Sequence, residues 1–171
     1  MPLGGRYIVM GVAGAGKSHI GAAFAHRTGA TFIDGDDLHP PANIAKMSRG
    51  DQLTDTDRWP WLTRVGTALT EGNSKTGIVI GCSALKRAYR DHIRSIAGEV
   101  TFVLLDGSYE LLTKRMSART HHFMPTSLLD GQLATLERPD PDETAIVVGI
   151  NAAPDAIVTD ILTQLTERTP S

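Results

Sequence analysis

The sequence predicts an α/β fold built on a parallel sheet, and three observations carry that expectation. Five short apolar runs rich in β-branched residues recur, at Tyr7–Met10, Thr31–Ile33, Gly77–Cys82, Val100–Leu105 and Ala145–Ile150. They are continuously apolar rather than alternating, as strands covered on both faces are. Segments with helical spacing separate them, and strands alternating with helices imply parallel pairing through right-handed crossovers. Finally, the first run leads through a glycine-rich loop, GVAGAGKS at Gly11–Ser18, into a helix-forming stretch, HIGAAFAHR.

Each helix shows its ends in the sequence. Lys17–Arg27 closes near Gly29, which suits a left-handed C-terminal cap, and Pro41–Met47 opens on a proline whose missing N–H the first turn does not need. Thr54 and Asp57 form a capping-box pattern ahead of Trp59–Leu69, and Ser127 with Asp130 forms another ahead of Leu128–Leu136. Ser83 is placed to cap Leu85–Ile96, Ser108 to cap Tyr109–Arg119, and Pro154 to start a last helix reaching Glu167. ERPDPDE at Glu137–Glu143 reads as an exposed turn. No internal repeat, low-complexity segment or linker interrupts the chain, so residues 1–171 are expected to form one domain.

Composition agrees, since 171 residues with 41% hydrophobic and 21% charged content match a single globular core. Seventeen Lys and Arg against 19 Asp and Glu give a formal charge of −2, so no global basic field attracts nucleic acid or an anionic membrane. Any anionic ligand must be held locally. The single cysteine, Cys82, excludes an internal disulfide and is expected to be buried at the end of its strand. No secretory leader pattern opens the sequence and no apolar run approaches the roughly 18 residues of a membrane span, so a reducing cytoplasm is the expected setting.

The loop Gly11, Val12, Ala13, Gly14, Ala15, Gly16, Lys17, Ser18 satisfies the pattern G-x-x-x-x-G-K-S. Small residues let successive backbone N–H groups curl around a phosphate, and the following helix points its positive end at the same anion. Lys17 would reach the β- and γ-phosphates and Ser18 would offer its hydroxyl oxygen to Mg²⁺. A chance glycine-rich turn would not sit between a strand and a helix, as this loop does. A GTPase would carry Asn-Lys-x-Asp and Asp-x-x-Gly motifs, and neither occurs. The strand GIVIGC ends in Cys82 and Ser83 rather than a carboxylate, so support for the metal must come from elsewhere.

FIDGDD at Phe32–Asp37 is the nearest source. Ligands of open α/β sheets collect beyond the carboxyl ends of strands, so Asp34 and Asp36 are expected to face the phosphate loop. In phosphoryl transfer to an alcohol, one carboxylate orients the attacking hydroxyl and accepts its proton, while another orders the waters around the metal. Asp36 is assigned the first role and Asp34 the second. Gly35 is expected to let the backbone turn so that both point inward, and Asp37 to be a helix or turn cap.

GVAGAGKS, DGDDLHPPANIAKMSRGDQLTDTDRWPWL and CSALKRAYRDHIR together resemble the P-loop gluconokinases, which are related in fold to shikimate and nucleoside monophosphate kinases. The resemblance runs from Tyr7 to about Glu143. It implies transfer of the ATP γ-phosphate to the 6-hydroxyl of D-gluconate, a five-stranded parallel sheet, a mobile lid around residues 115–128 and a homodimer. Gluconate is a polyol with a terminal carboxylate, so its site needs cations, and His39, Arg49, Arg58 and Lys86 are the candidates taken from the resembling segments. Arg58 is favoured for the carboxylate because its fork binds both oxygens, against an ordinary ion pair with Asp55 or Asp57. Lys86 is otherwise a solvated helix lysine, and His39 otherwise a helix cap. Trp59 and Trp61 read as core or wall residues.

Arg115 and Arg119 are four apart, hence on one helical face, where they either enter over the phosphates or simply favour a helix C-terminus. The following segment resembles the family's lid tip, with His122 matching a lid histidine and His121 standing where glycine is common. Gln132 is carried over as a substrate contact, with Gly131 before it where the family usually has serine. Two readings stay beside a gluconokinase: a kinase for another small acceptor, such as shikimate or a nucleoside monophosphate, and a nucleotide-binding regulatory module.

Overall fold

The computed structural model describes residues 4–73, 75–118 and 126–168. Five strands, β1 (Arg6–Met10), β2 (Thr31–Asp34), β3 (Ile78–Gly81), β4 (Thr101–Asp106) and β5 (Ala145–Gly149), form one sheet in the order β2-β3-β1-β4-β5. Every pairing is parallel, with Ile8 opposite both Ile80 and Phe102, and Asp34 opposite Gly81. All carboxyl ends therefore lie on one edge, and β1, which feeds the phosphate loop, sits in the middle.

Among the described residues, seven α-helices accompany the sheet: α1 (Lys17–Thr28), α2 (Pro41–Ser48), α3 (Asp55–Thr70), α4 (Arg87–Ala97), α5 (Tyr109–Ser117), α6 (Thr126–Thr135) and α7 (Pro154–Arg168). Alternation along β1 divides the core, because Val9 packs with Phe24 of α1, Leu112 of α5 and Ile157 of α7. Ile8 and Met10 instead pack with Leu62 and Leu69 of α3 and Ile93 of α4. Strands with an apolar layer on each side need continuous apolarity, which is what their sequences carry. No helix among the described residues is long and apolar enough to cross a membrane.

The helix ends divide into those set by local chemistry and those overridden by packing. Gly29 closes α1 in the left-handed region at φ 75°, and Ser108 accepts a hydrogen bond from the Leu111 amide to open α5. Thr54 and Asp57 form the full reciprocal capping box, but it opens α3 at Asp55, four residues ahead of the expected start at Trp59. Ser83 does not cap α4. Residues 82–85 stay non-helical, and the Ser83 carbonyl instead accepts a hydrogen bond from the Gly11 amide, tying the phosphate loop to the end of β3. Ser127 likewise lies inside α6 rather than ahead of it.

The Glu137–Glu143 segment is not a free turn. Glu143 is buried with Arg90, whose Nε and Nη2 donate to its two carboxylate oxygens at 2.8 and 3.1 Å, and Arg94 adds a third contact at 2.8 Å. Nearer the surface, Arg87 pairs with Asp140 and Asp142 at 2.9 and 2.6 Å. Local sequence shows only a polar, proline-broken stretch, because the partners lie some fifty residues away on α4. Burial would raise the Glu143 carboxyl, but hydrogen bonds from Arg90, the Asp140 amide and Arg94 together outweigh it and bring it down to about 2.

Removing one member of a buried ion pair strands the other, so Glu143→Ala is expected to cost about 3–5 kcal/mol in denaturant unfolding at pH 7. A depressed carboxyl stabilises above its unfolded value near 4.5 and loses that contribution as pH falls toward 2. The gap between wild type and variant should therefore narrow across that window. A loss below about 1 kcal/mol would show that the cluster is solvated.

Candidate active site

The phosphate loop owes its shape to glycines at positive φ. Gly14 and Gly16 adopt φ 84° and 89°, and Gly16 stands as the N-cap of α1, so the helix's unsatisfied amides face the concave side of the loop. Lys17 reaches back along the loop to donate to the Val12 carbonyl at 3.1 Å. Gln132 of α6 accepts a hydrogen bond from the Ala13 amide at 2.6 Å. That contact lies on the phosphate loop itself, a position its sequence neighbourhood gives no sign of.

Across β3, the end of β2 meets this loop. The Ser18 hydroxyl donates to Asp34 Oδ2 at 2.9 Å, while Asp34 Oδ1 accepts from the Asp36 amide at 3.0 Å and so caps the short 3-10 helix Gly35–Leu38. Ser18 and Asp34 thus present hard oxygen donors beside Lys17, a set that fits Mg²⁺. Gly35 serves closeness rather than a turn at positive φ, since a Cβ there would lie 2.3 Å from the Gly81 carbonyl oxygen. Trp61 fixes the same point by donating its indole N–H to the Gly35 carbonyl at 2.8 Å. Asp36 projects at the carboxyl edge and stays accessible to solvent. Its carboxyl is nevertheless raised, first by desolvation and then by the charge of Asp34, with Lys17 opposing. Asp37 is exposed in the first turn of the 3-10 helix.

The expected acceptor cations separate into three environments. His39 is not a cation at neutral pH: it is buried, stacks on Trp61 with ring centroids 4.1 Å apart, and meets Asn43 through Nδ1 at 3.2 Å. Desolvation, aided by the positive charge of Arg58, pushes it down to about 4. Arg49 is exposed beyond α2 and pairs loosely with Asp51 at 3.5 Å. Arg58 and Lys86 converge from α3 and the start of α4 on Asp55, at 3.8 and 3.3 Å. Between them stands Tyr89, which accepts a hydrogen bond from Arg58 at 3.0 Å and donates a short one to Asp55. Asp57, the other expected partner of Arg58, belongs instead to Lys46 at 2.7 Å. Trp61 is core and Trp59 packs edge-on to Tyr89.

Arg115 lies over the loop, its guanidinium donating to the carbonyls of Ala15 at 3.5 Å and Ile150 at 2.8 Å. Arg119, His121 and His122 lie outside the described residues. Cys82 is buried, and desolvation raises its thiol to about 12, so it carries no thiolate chemistry. Tyr89 is the functional candidate that sequence reasoning passed over, and Asp55 entered it only as an ion-pair alternative for Arg58. Their only signal was position, Tyr89 three residues past Lys86 and Asp55 three before Arg58.

A phosphate loop on the central strand, with carboxylates from the end of β2 held against it across β3, defines a P-loop kinase. Residues 7–139 match the family described as "AAA domain". The thermosensitive gluconokinase of Escherichia coli is 49% identical over 146 residues, covering 84% of this chain and 78% of that protein. The gluconokinase of Gluconobacter oxydans is 46% identical over 156 residues, covering 91% and 88%. A crystal structure of a gluconokinase from Sinorhizobium meliloti 1021 superposes with a TM-score of 0.87 at 48% identity, covering 98% of this chain and 94% of that one. The chain belongs to the gluconokinase family.

Because His39 is held neutral, the unfolded chain binds a proton near pH 6.5 that the folded one refuses until about 4. Stability is therefore expected to fall as pH drops through that interval, and His39→Gln should flatten the slope. Chemical denaturation at half-unit pH steps would measure this. An unchanged slope in the variant would place His39 in contact with solvent.

Proposed function

We propose that this chain transfers the γ-phosphate of ATP to the 6-hydroxyl of D-gluconate, giving 6-phospho-D-gluconate and ADP. The observation that carries the reading is the hydrogen-bonded run Ser18, Asp34, Asp36, which joins the phosphate loop to a carboxylate free to meet an acceptor. The names of the matched relatives support the choice of gluconate over shikimate or a nucleotide acceptor.

In this reading, the loop amides from Gly11 to Ser18 and the Lys17 ammonium hold the phosphates. Ser18, with Asp34 behind it, would hold Mg²⁺, which supplies positive charge against the β- and γ-phosphates. Asp36 orients the 6-hydroxyl in line with the γ-phosphorus and takes its proton as the new P–O bond forms and the bond to the ADP oxygen breaks. Its raised carboxyl, desolvated and repelled by Asp34, makes it a stronger base than an ordinary aspartate. Arg58 and Lys86 meet the gluconate carboxylate, with Arg49 and His39 bordering the polyol. Arg115, Arg119, His122 and Gln132 belong to a lid at residues 115–128 and its base, whose closure keeps water from the phosphate. A homodimer in the cytoplasm, with no nucleic-acid or membrane partner, is the setting that the resemblance and the single cysteine support.

A coupled ADP-release assay across sugar acids, shikimate and nucleoside monophosphates tests the substrate, and D-gluconate alone should stimulate strongly. Asp36→Asn should lower turnover by about 10²–10⁴-fold while ATP affinity stays within about twofold. Parallel loss of ATP binding would assign Asp36 to the metal or to the fold instead.

A further inference from the structure

We propose that Tyr89 and Asp55 are positioning residues that set Arg58 and Lys86 as a fixed pair with one surplus positive charge, and so select a singly charged acid over a neutral polyol. The inference rests on the gluconate reading and concerns how that acceptor's charge is recognised.

Long cationic side chains near a surface do not hold one geometry by ion pairing alone, because such pairs contribute little and the chains lose rotamer freedom. Here the anchor is a buried phenol. Tyr89 is only 3% exposed, and Trp59 packs edge-on against it with centroids 5.7 Å apart. Its hydroxyl is therefore fixed, and it uses both of its hydrogen-bonding capacities, accepting from Arg58 and donating to Asp55. Asp55 in turn accepts from Lys86 Nζ at 3.4 and 3.3 Å. Burial and the bond to Asp55 both raise the Tyr89 hydroxyl, which keeps it a donor at every working pH.

Charge counting then gives the selectivity. Arg58 and Lys86 bring two positive charges and Asp55 one negative. Asp57 does not add a second, since it is taken by Lys46, and His39 is neutral. One positive charge remains at the carboxyl edge of the sheet, where Lys86 follows β3 and Arg58 lies one turn before Trp61, which is bonded to Gly35. A monocarboxylate balances it. A neutral alditol leaves the cations without the counter-ion that the cluster lacks, and a dicarboxylate overcompensates.

Steady-state kinetics of the full chain with ATP and Mg²⁺ test this, comparing D-gluconate with D-glucitol, which keeps the 6-hydroxyl and lacks the carboxylate. Tyr89→Phe retains the ring and loses the bridge. It should raise KM for gluconate about tenfold, the equivalent of one charge-assisted hydrogen bond, with kcat within about twofold and KM for ATP unchanged. The gluconate-to-glucitol ratio of kcat/KM should fall by the same factor. Asp55→Asn, which raises the surplus to two, should strengthen competitive inhibition by the six-carbon dicarboxylate D-glucarate relative to gluconate binding. Unchanged KM for gluconate in Tyr89→Phe, or an equal fall in kcat for both acceptors, would overturn the proposal while leaving gluconate as the substrate. Absence of gluconate-stimulated ADP release in the wild type would sink both. Thermal unfolding of each variant within a few degrees of wild type confirms that the kinetics report positioning.

Discussion

Gly35 approaches the end of β3 so closely that a single added methyl group would sit 2.3 Å from the Gly81 carbonyl oxygen. β2 is separated from the phosphate-loop strand by β3, so a carboxylate on β2 can meet Ser18 only by crossing over that strand's end. The absence of a side chain at Gly35 makes the crossing shallow, and the Trp61 indole holds the backbone down from the other side. The Ser18 to Asp34 hydrogen bond, the cap on the 3-10 helix and the presentation of Asp36 all follow from that approach.

The same edge solves an electrostatic problem. A chain with formal charge −2 must bind a polyanionic nucleotide and an acid without help from its overall field. In the proposed function that task falls to local positive potential of two kinds: backbone amides at the start of α1, and side chains tied into named partners. Buried charge elsewhere is used for attachment, as Arg90 and Glu143 pin the segment before β5 to α4. The Glu137 amide, which donates to the Leu85 carbonyl at 2.7 Å, links that segment to the connection carrying Lys86. Remote packing thus reaches the acceptor side through a short chain of contacts.

Much of the fold was legible because its signals are local. The five apolar runs became five parallel strands, and Gly29, Thr54 with Asp57, and Ser108 terminate helices as their chemistry dictates. The phosphate loop was readable because spacing alone defines it. What escaped was set by partners distant in sequence. Ser83 looked like a cap until its carbonyl was claimed by Gly11, Glu143 looked solvated until Arg90 covered it, and His39 looked cationic until Trp61 stacked on it. The role of Gly35 was misread for the same reason, since a tight turn and a close approach look identical in one dimension. Ion pairing of Arg58 with Asp55 was foreseen as an alternative, but the tyrosine between them was not.

The Gly35 contact holds the carboxylates against the phosphate loop. The Mg²⁺ concentration giving half-maximal gluconate phosphorylation, measured for Gly35→Ala at a temperature where circular dichroism shows it folded, tests this most directly. The Ser18 and Asp34 oxygens should separate, raising that concentration by about tenfold or more, as losing outer support of a metal site does, while metal-free nucleotide affinity stays near wild type. A variant with wild-type Mg²⁺ requirement and turnover would contradict the claim.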